Sequence, residues 1–164
     1  MTSSSPLRDF ALAFYAHPGV SPACLKLQDE GGVDVLMLIA LLYADVRLGR
    51  PLNTAGIATL DAEIANWRRI VILPLRRVRV QLKPGWAEVP DANRLALREK
   101  VKALELEAEF IQLSAIETWL QAHSSNAGLP LEQALPELLK AETPKDGALT
   151  KAFDVVAQAA RTLG

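Results

Sequence analysis

Ten consecutive residues, 35–44, carry no charge, and a helix built from them is apolar around its whole circumference, so it has to be buried on every side. The run is too short to cross a bilayer, which takes about 20 apolar residues, and an acid stands at each end, Asp34 before it and Asp45 after it. The pattern predicts a central helix over 34–48 in an all-α, single-domain bundle of six to seven helices, with Asp34 as its cap and Gly49 as its stop. At 164 residues the chain can bury a core of that kind without metal or disulfide. One cysteine, Cys24, excludes an internal disulfide. No charged-then-apolar leader occupies residues 1–6, so the expected compartment is the cytoplasm.

The remaining segments have to coat that helix. Ser5-Pro6 and Ser21-Pro22 each pair a capping hydroxyl with a proline suited to a first turn, which predicts two short helices, one stopping before Pro18-Gly19 and the other at Gly31-Gly32. After a helical turn near 53–57, Thr59 opens a long helix to residue 83. Its stripe is Leu60, Ile64, Trp67, Val71, Leu75, Val78 and Leu82, with a kink at Pro74. The alternation over 78–82 and the turn residues Pro84-Gly85 offer a rival hairpin over 78–89, which has no sheet to join. Asp91 caps a second long helix, to about residue 121, on the stripe Leu97, Val101, Leu104, Ala108, Ile111 and Ala115. It should return antiparallel to the first. Residues 124–129 read as loop, and 130–141 and 149–163 as thin-striped helices forming an extension, 124–164, that is either a lid on the 1–123 bundle or a loosely attached tail. Limited proteolysis is then expected first at 124–128 or 144–147, and Phe153 and Val156 are expected to matter little.

The order of features from residue 5 to about 120 resembles a proteobacterial conserved-hypothetical family classed as a domain of unknown function. The resemblance is carried by Phe10-Ala-Leu-Ala-Phe-Tyr15, Pro18-Gly-Val20, Cys24-Leu25, Leu27-Gln-Asp29, Gly32-Val-Asp-Val35, Trp67 with Pro74-Leu-Arg76, and Leu97-Arg98 with Glu105-Leu-Glu-Ala-Glu109. Its pattern usually has an asparagine where this chain has Leu36, so no polar role is expected there. The resemblance implies fold boundaries and no activity, cofactor or catalytic residue.

Charge is unevenly laid out: residues 1–46 carry a net −3, residues 47–83 a net +6 and residues 84–164 a net −4. On the long helix, Arg68, Arg69, Arg76, Arg79 and Lys83 fall within an arc of about 100° beside the apolar stripe. The arc could pair with acids such as Glu105 or Asp45, with Asp45 expected to find Arg68 or Arg69, or it could meet an acidic protein or nucleic acid. The first functional expectation is therefore a non-enzymatic protein using this face for protein–protein or nucleic-acid interaction. The alternative is an enzyme or carrier for a small lipophilic anion between helices, with Arg68, Arg69 or Arg76 at the mouth; a cavity of some hundreds of Å³ with converging arginines would favour it. His17 and His123 have no partners at metal-ligand spacing, and Cys24 has no base beside it. Asp29-Glu30 with Asp34 superficially resembles the magnesium-binding clusters of all-α prenyl-transferring enzymes, but Gly31-Gly32 breaks the helix such a cluster needs. No catalytic, cofactor or metal set is expected.

Overall fold

The structure, a computed structural model, describes residues 5–123, 127–143 and 146–164. Within them α1 spans Pro6–Ala16, α2 Val20–Gly31, α3 Val35–Val46 and α4 Thr54–Trp67. A π-helical turn, Arg68–Ile72, leads into α5, Leu73–Gln81. After α6, Asp91–Ala122, come α7, Leu131–Ala134, a 3₁₀ turn, Leu135–Leu138, and α8, Gly147–Arg161. Counting α4 through α5 as one rod leaves seven helical rods among the described residues, and the fold is all-α as expected. Extended pairing there is limited to one bridge, Trp86–Val89, and α5 runs helically through Gln81, so the hairpin alternative is not adopted.

The central helix forms as its composition dictates. Asp34 Oδ1 accepts from the backbone N–H of Leu36 at 2.8 Å and of Met37 at 3.4 Å, and every residue from Leu36 to Ala44 is buried. The chain leaves the helix through Gly49, whose positive φ of 59° accompanies a bond from its N–H to the Asp45 carbonyl. Around α3 pack α1, α2, α6, α7, the 3₁₀ turn and α8. The α4–α5 rod lies mainly on α6, and the C-terminal helices take the place expected for it. Phe153 and Val156 are core residues, with Leu131, Leu135, Leu149 and Ala160, so the part after residue 127 covers the bundle. Each fully buried Leu or Phe is worth about 1.5–3 kcal/mol of transfer free energy. Thin stripes of alanine and a few large residues are enough, because a helix of small residues approaches its neighbour closely. The expected cleavage sites at Ser124, Ser125, Asn126, Pro144 and Lys145 lie outside the described residues.

Helix boundaries shift where a nearer cap exists. Ser5 caps α1 as expected, accepting from Arg8 N–H at 3.2 Å. α2 begins at Val20 behind Gly19 rather than at Ser21-Pro22. α4 begins at Thr54, not Thr59, because Asn53 accepts from Gly56 N–H at 2.8 Å, and Asp91 is the first residue of α6 behind Pro90. At Gly32 the φ of 64° strains any L side chain, and a Cβ would lie 2.6 Å from the flexible Lys140 side chain, which would have to shift.

The rod and α6 run antiparallel. Arg94 donates to the carbonyls of Leu82 and Lys83 near the turn, Arg79 to Glu105, and Trp67 Nε1 to the Ala108 carbonyl at 3.0 Å. The inward face of α6 is the expected stripe only in part, Val101 and Ala108 being buried as expected. Leu97, Leu104 and Ile111 are half exposed, while Arg94, Val101, Glu105, Ala108, Gln112 and Ile116 are buried. Glu105 and Gln112 hold inward positions, and a reading by hydrophobicity assigns such positions to the outside.

Candidate functional site

Pro74 shapes the site before any ligand group does. It has no N–H to donate and crowds the turn before it, and the chain responds with a wider turn in which Leu73 N–H bonds the Arg68 carbonyl, five residues back. In a regular helix Arg68 and Arg76, eight residues apart, would point about 80° apart. A π turn accommodates roughly one extra residue, rotating the helix beyond it back by about 100°. Both guanidinium groups thereby come to one side of the rod, and both line the same cleft.

The cleft holds about 690 Å³ between the start of α3, the α4–α5 rod, α6 and residues 137–140. Each arginine in it is tied to carboxylates. Arg68 Nη1 lies 2.7 Å from Asp34 Oδ2 and 2.8 Å from Asp61 Oδ1, so one aspartate caps the central helix with one oxygen and holds the rod with the other. Arg76 donates to Glu105 at 2.8 Å, Glu109 at 2.7 Å and Gln28 at 3.1 Å. Burial pushes the Glu105 carboxyl upward, but hydrogen bonds and charge from Arg79 and Arg76 outweigh it and hold the group below its ordinary value. Glu109 is the opposite case: burial raises its pKa, and Arg76 offsets this only in part.

The lining carries three cations, Arg68, Arg76 and Lys140, against four acids, Asp34, Asp61, Glu109 and Glu137. Its other surface is largely apolar, from Val33, Met37, Ile57, Ile72, Leu73, Leu138 and Leu139. In the α6 wall sits Gln112, 1% exposed, and neither its amide nitrogen nor its amide oxygen has a hydrogen-bond partner among the described residues. A buried amide left unmatched costs about 1–3 kcal/mol, so its presence in a cavity wall needs a reason.

Of the basic arc, Arg68, Arg76 and Arg79 are committed to acids of the same chain, with Glu105 a partner as the sequence suggested. Arg69 is exposed and donates to Asn66 at 3.2 Å; neither it nor the exposed Lys83 has an ion pair among the described residues. Asp45 does not pair with Arg68 or Arg69. It forms no ion pair among the described residues, and burial raises its pKa. Asp34 has the arginine instead, because it lies at the end of α3 that faces the rod. Cys24 is buried, its thiol pushed up to about 12 by burial, which leaves it a poor nucleophile at neutral pH. His17 and His123 stand at helix C-termini as expected, His123 stacked on Trp119 at 4.0 Å. Reasoning from sequence missed Gln112 and the Asp34–Arg68–Asp61 bridge. Gln112 was visible only as a polar residue in register with Glu105 and Ile116, one helical face apart by seven and four.

A family model described as "Protein of unknown function (DUF2390)" matches residues 6–116. No curated protein and no solved structure matches the chain. Among the described residues no helix is long and apolar enough to cross a membrane.

Proposed function

We propose that this chain, which belongs to the DUF2390 family of proteins of unknown function, binds a small, uncharged polar molecule in the cleft between α3, the α4–α5 rod and α6. The observation that carries this reading is Gln112: a buried side chain with one donor group and one acceptor, both without partners among the described residues, in the wall of a cavity of about 690 Å³. A carboxamide or a nitrogen heterocycle with adjacent donor and acceptor matches that amide edge with two hydrogen bonds. The apolar walls would take the rest of such a ligand. A small lipophilic anion is less well served, because the arginines it would need are already bound to Asp34, Asp61, Glu105 and Glu109. An acidic protein or nucleic acid would find, of the original arc, Arg69 and Lys83 without a carboxylate partner among the described residues. The reading is of a cytoplasmic binding protein, in which the Thr54 hydroxyl, donating to Glu137 at 2.7 Å in the cleft lining, ties residue 137 to the start of α4.

The test is a fragment screen by NMR on the full chain, with neutral amides and heterocycles set against carboxylates and phosphates. Neutral fragments are expected to shift the Gln112 side-chain amide signals, and Gln112→Leu, similar in size but without the amide, should lose those hits while staying folded. Hits confined to anions, or hits that Gln112→Leu retains, would overturn the reading.

A further inference from the structure

Outside the cleft, the hairpin leaves one apolar face uncovered. Leu97, Leu104 and Ile111 repeat every seven residues along α6 and are 50%, 52% and 50% exposed. They lie about 60° round the helix from the Val101–Ala108 face that packs inside. Val78 is 47% exposed and stands at the level of Leu104, since its neighbour Arg79 bonds Glu105. By the same rotation it falls on the same side of the antiparallel pair. Contiguous apolar surface of this kind marks an interaction site on a soluble protein.

The charges beside the stripe say what covers it. Lys100 and Glu107 flank Leu104 on its outer side; both are exposed, and neither has an ion pair among the described residues. If a second copy lies antiparallel with Leu104 on the two-fold axis, Leu97 stands over Ile111 of the second copy. Lys100 then comes within one residue, about 1.5 Å of helix rise, of Glu107 of the second copy, on the same side of the pair. The match holds twice, once on each side of the axis, which is the self-complementarity that an isologous contact requires. A parallel pairing would instead set Lys100 against Lys100 and Glu107 against Glu107. We propose that the face of α6 formed by Leu97, Leu104 and Ile111, with Val78 beside it, is a two-fold homodimer interface whose antiparallel register is set by Lys100 and Glu107.

Sedimentation equilibrium of the full chain tests this. A monomer–dimer equilibrium is expected for the wild type. Lys100→Glu alone and Glu107→Lys alone should each weaken it roughly tenfold, by turning two attractive pairs into repulsive ones. The double variant Lys100→Glu with Glu107→Lys should restore it, and Leu104→Asp should give a cooperatively folded monomer whose melting temperature no longer depends on protein concentration, because the side chain is not in the core. Leu104→Cys should oxidise to a symmetric disulfide dimer, with the buried Cys24 silent. A wild type that is monomeric throughout, a dimer that survives Leu104→Asp, or a double variant that stays as weak as the singles would each overturn the proposal.

Discussion

Asp34 and Asp45 close the two ends of the same apolar helix with opposite consequences. Asp34 accepts two backbone N–H groups and an arginine, so Asp34→Ala removes a cap and one of the two carboxylates that hold Arg68, leaving Asp61. A loss of about 2–3 kcal/mol in urea unfolding is expected. Asp45 is half buried without an ion pair, and burial raises its pKa, so Asp45→Asn is expected to change stability by no more than about 0.5 kcal/mol, or to raise it. Gln112→Leu is expected to stabilise the fold by about 1–2 kcal/mol, since it removes an amide with no internal partner, while abolishing binding in the cleft. The cap was legible in the sequence because a cap depends on neighbours two and three residues away. The pairing was not, because Asp34 and Arg68 are brought together only by how two helices cross.

Among the elements, the π turn and α6 decide how the cleft is built. Ile70 is exposed within that turn, and deleting it would restore regular helix while swinging α5 by about 100° about its axis. The expected result is near-native helicity by circular dichroism with a loss of several kcal/mol, because Arg76 and Arg79 would no longer face Glu105. Glu105 also sets an acid limit. Its folded pKa lies below its ordinary value of 4.5, so its stabilisation is complete above that value and is lost as pH falls below it. Glu105→Gln should therefore be less stable than wild type at neutral pH, with a gap that narrows as acid unfolding is tracked below about pH 4.5. The existence of both long helices, the cap on α3 and the proline disturbance could be read from periodicity and propensity. The rotation of α6 could not, since Glu105 faces inward toward Arg76 and Arg79, which only the packing of two helices brings to it.

For the whole molecule, the decisive contact is that of the C-terminal helices with the centre. α8 packs along α2 and touches α3, and Val156 and Ala160 are fully buried. A chain ending at His123 is expected to lose cooperative unfolding and to bind a hydrophobic dye, as fits a bundle with its middle exposed. A central helix needing cover all round was readable from residues 35–44; which segments supply the cover was not, because alanine-rich stripes look weak until they meet a close neighbour. The cleft straddles this division. Gln112, Arg68, Arg76 and Asp34 fall inside the stretch 6–116 that the family model matches, whereas Glu137, Leu138, Leu139 and Lys140, which line the same cavity, fall beyond it. The Gln112 side of the cleft thus lies within the stretch that the family model matches, and the opposite side lies beyond it. If the proposed reading holds, exchanging residues 137–140 would alter what the cleft selects while leaving Gln112 in place.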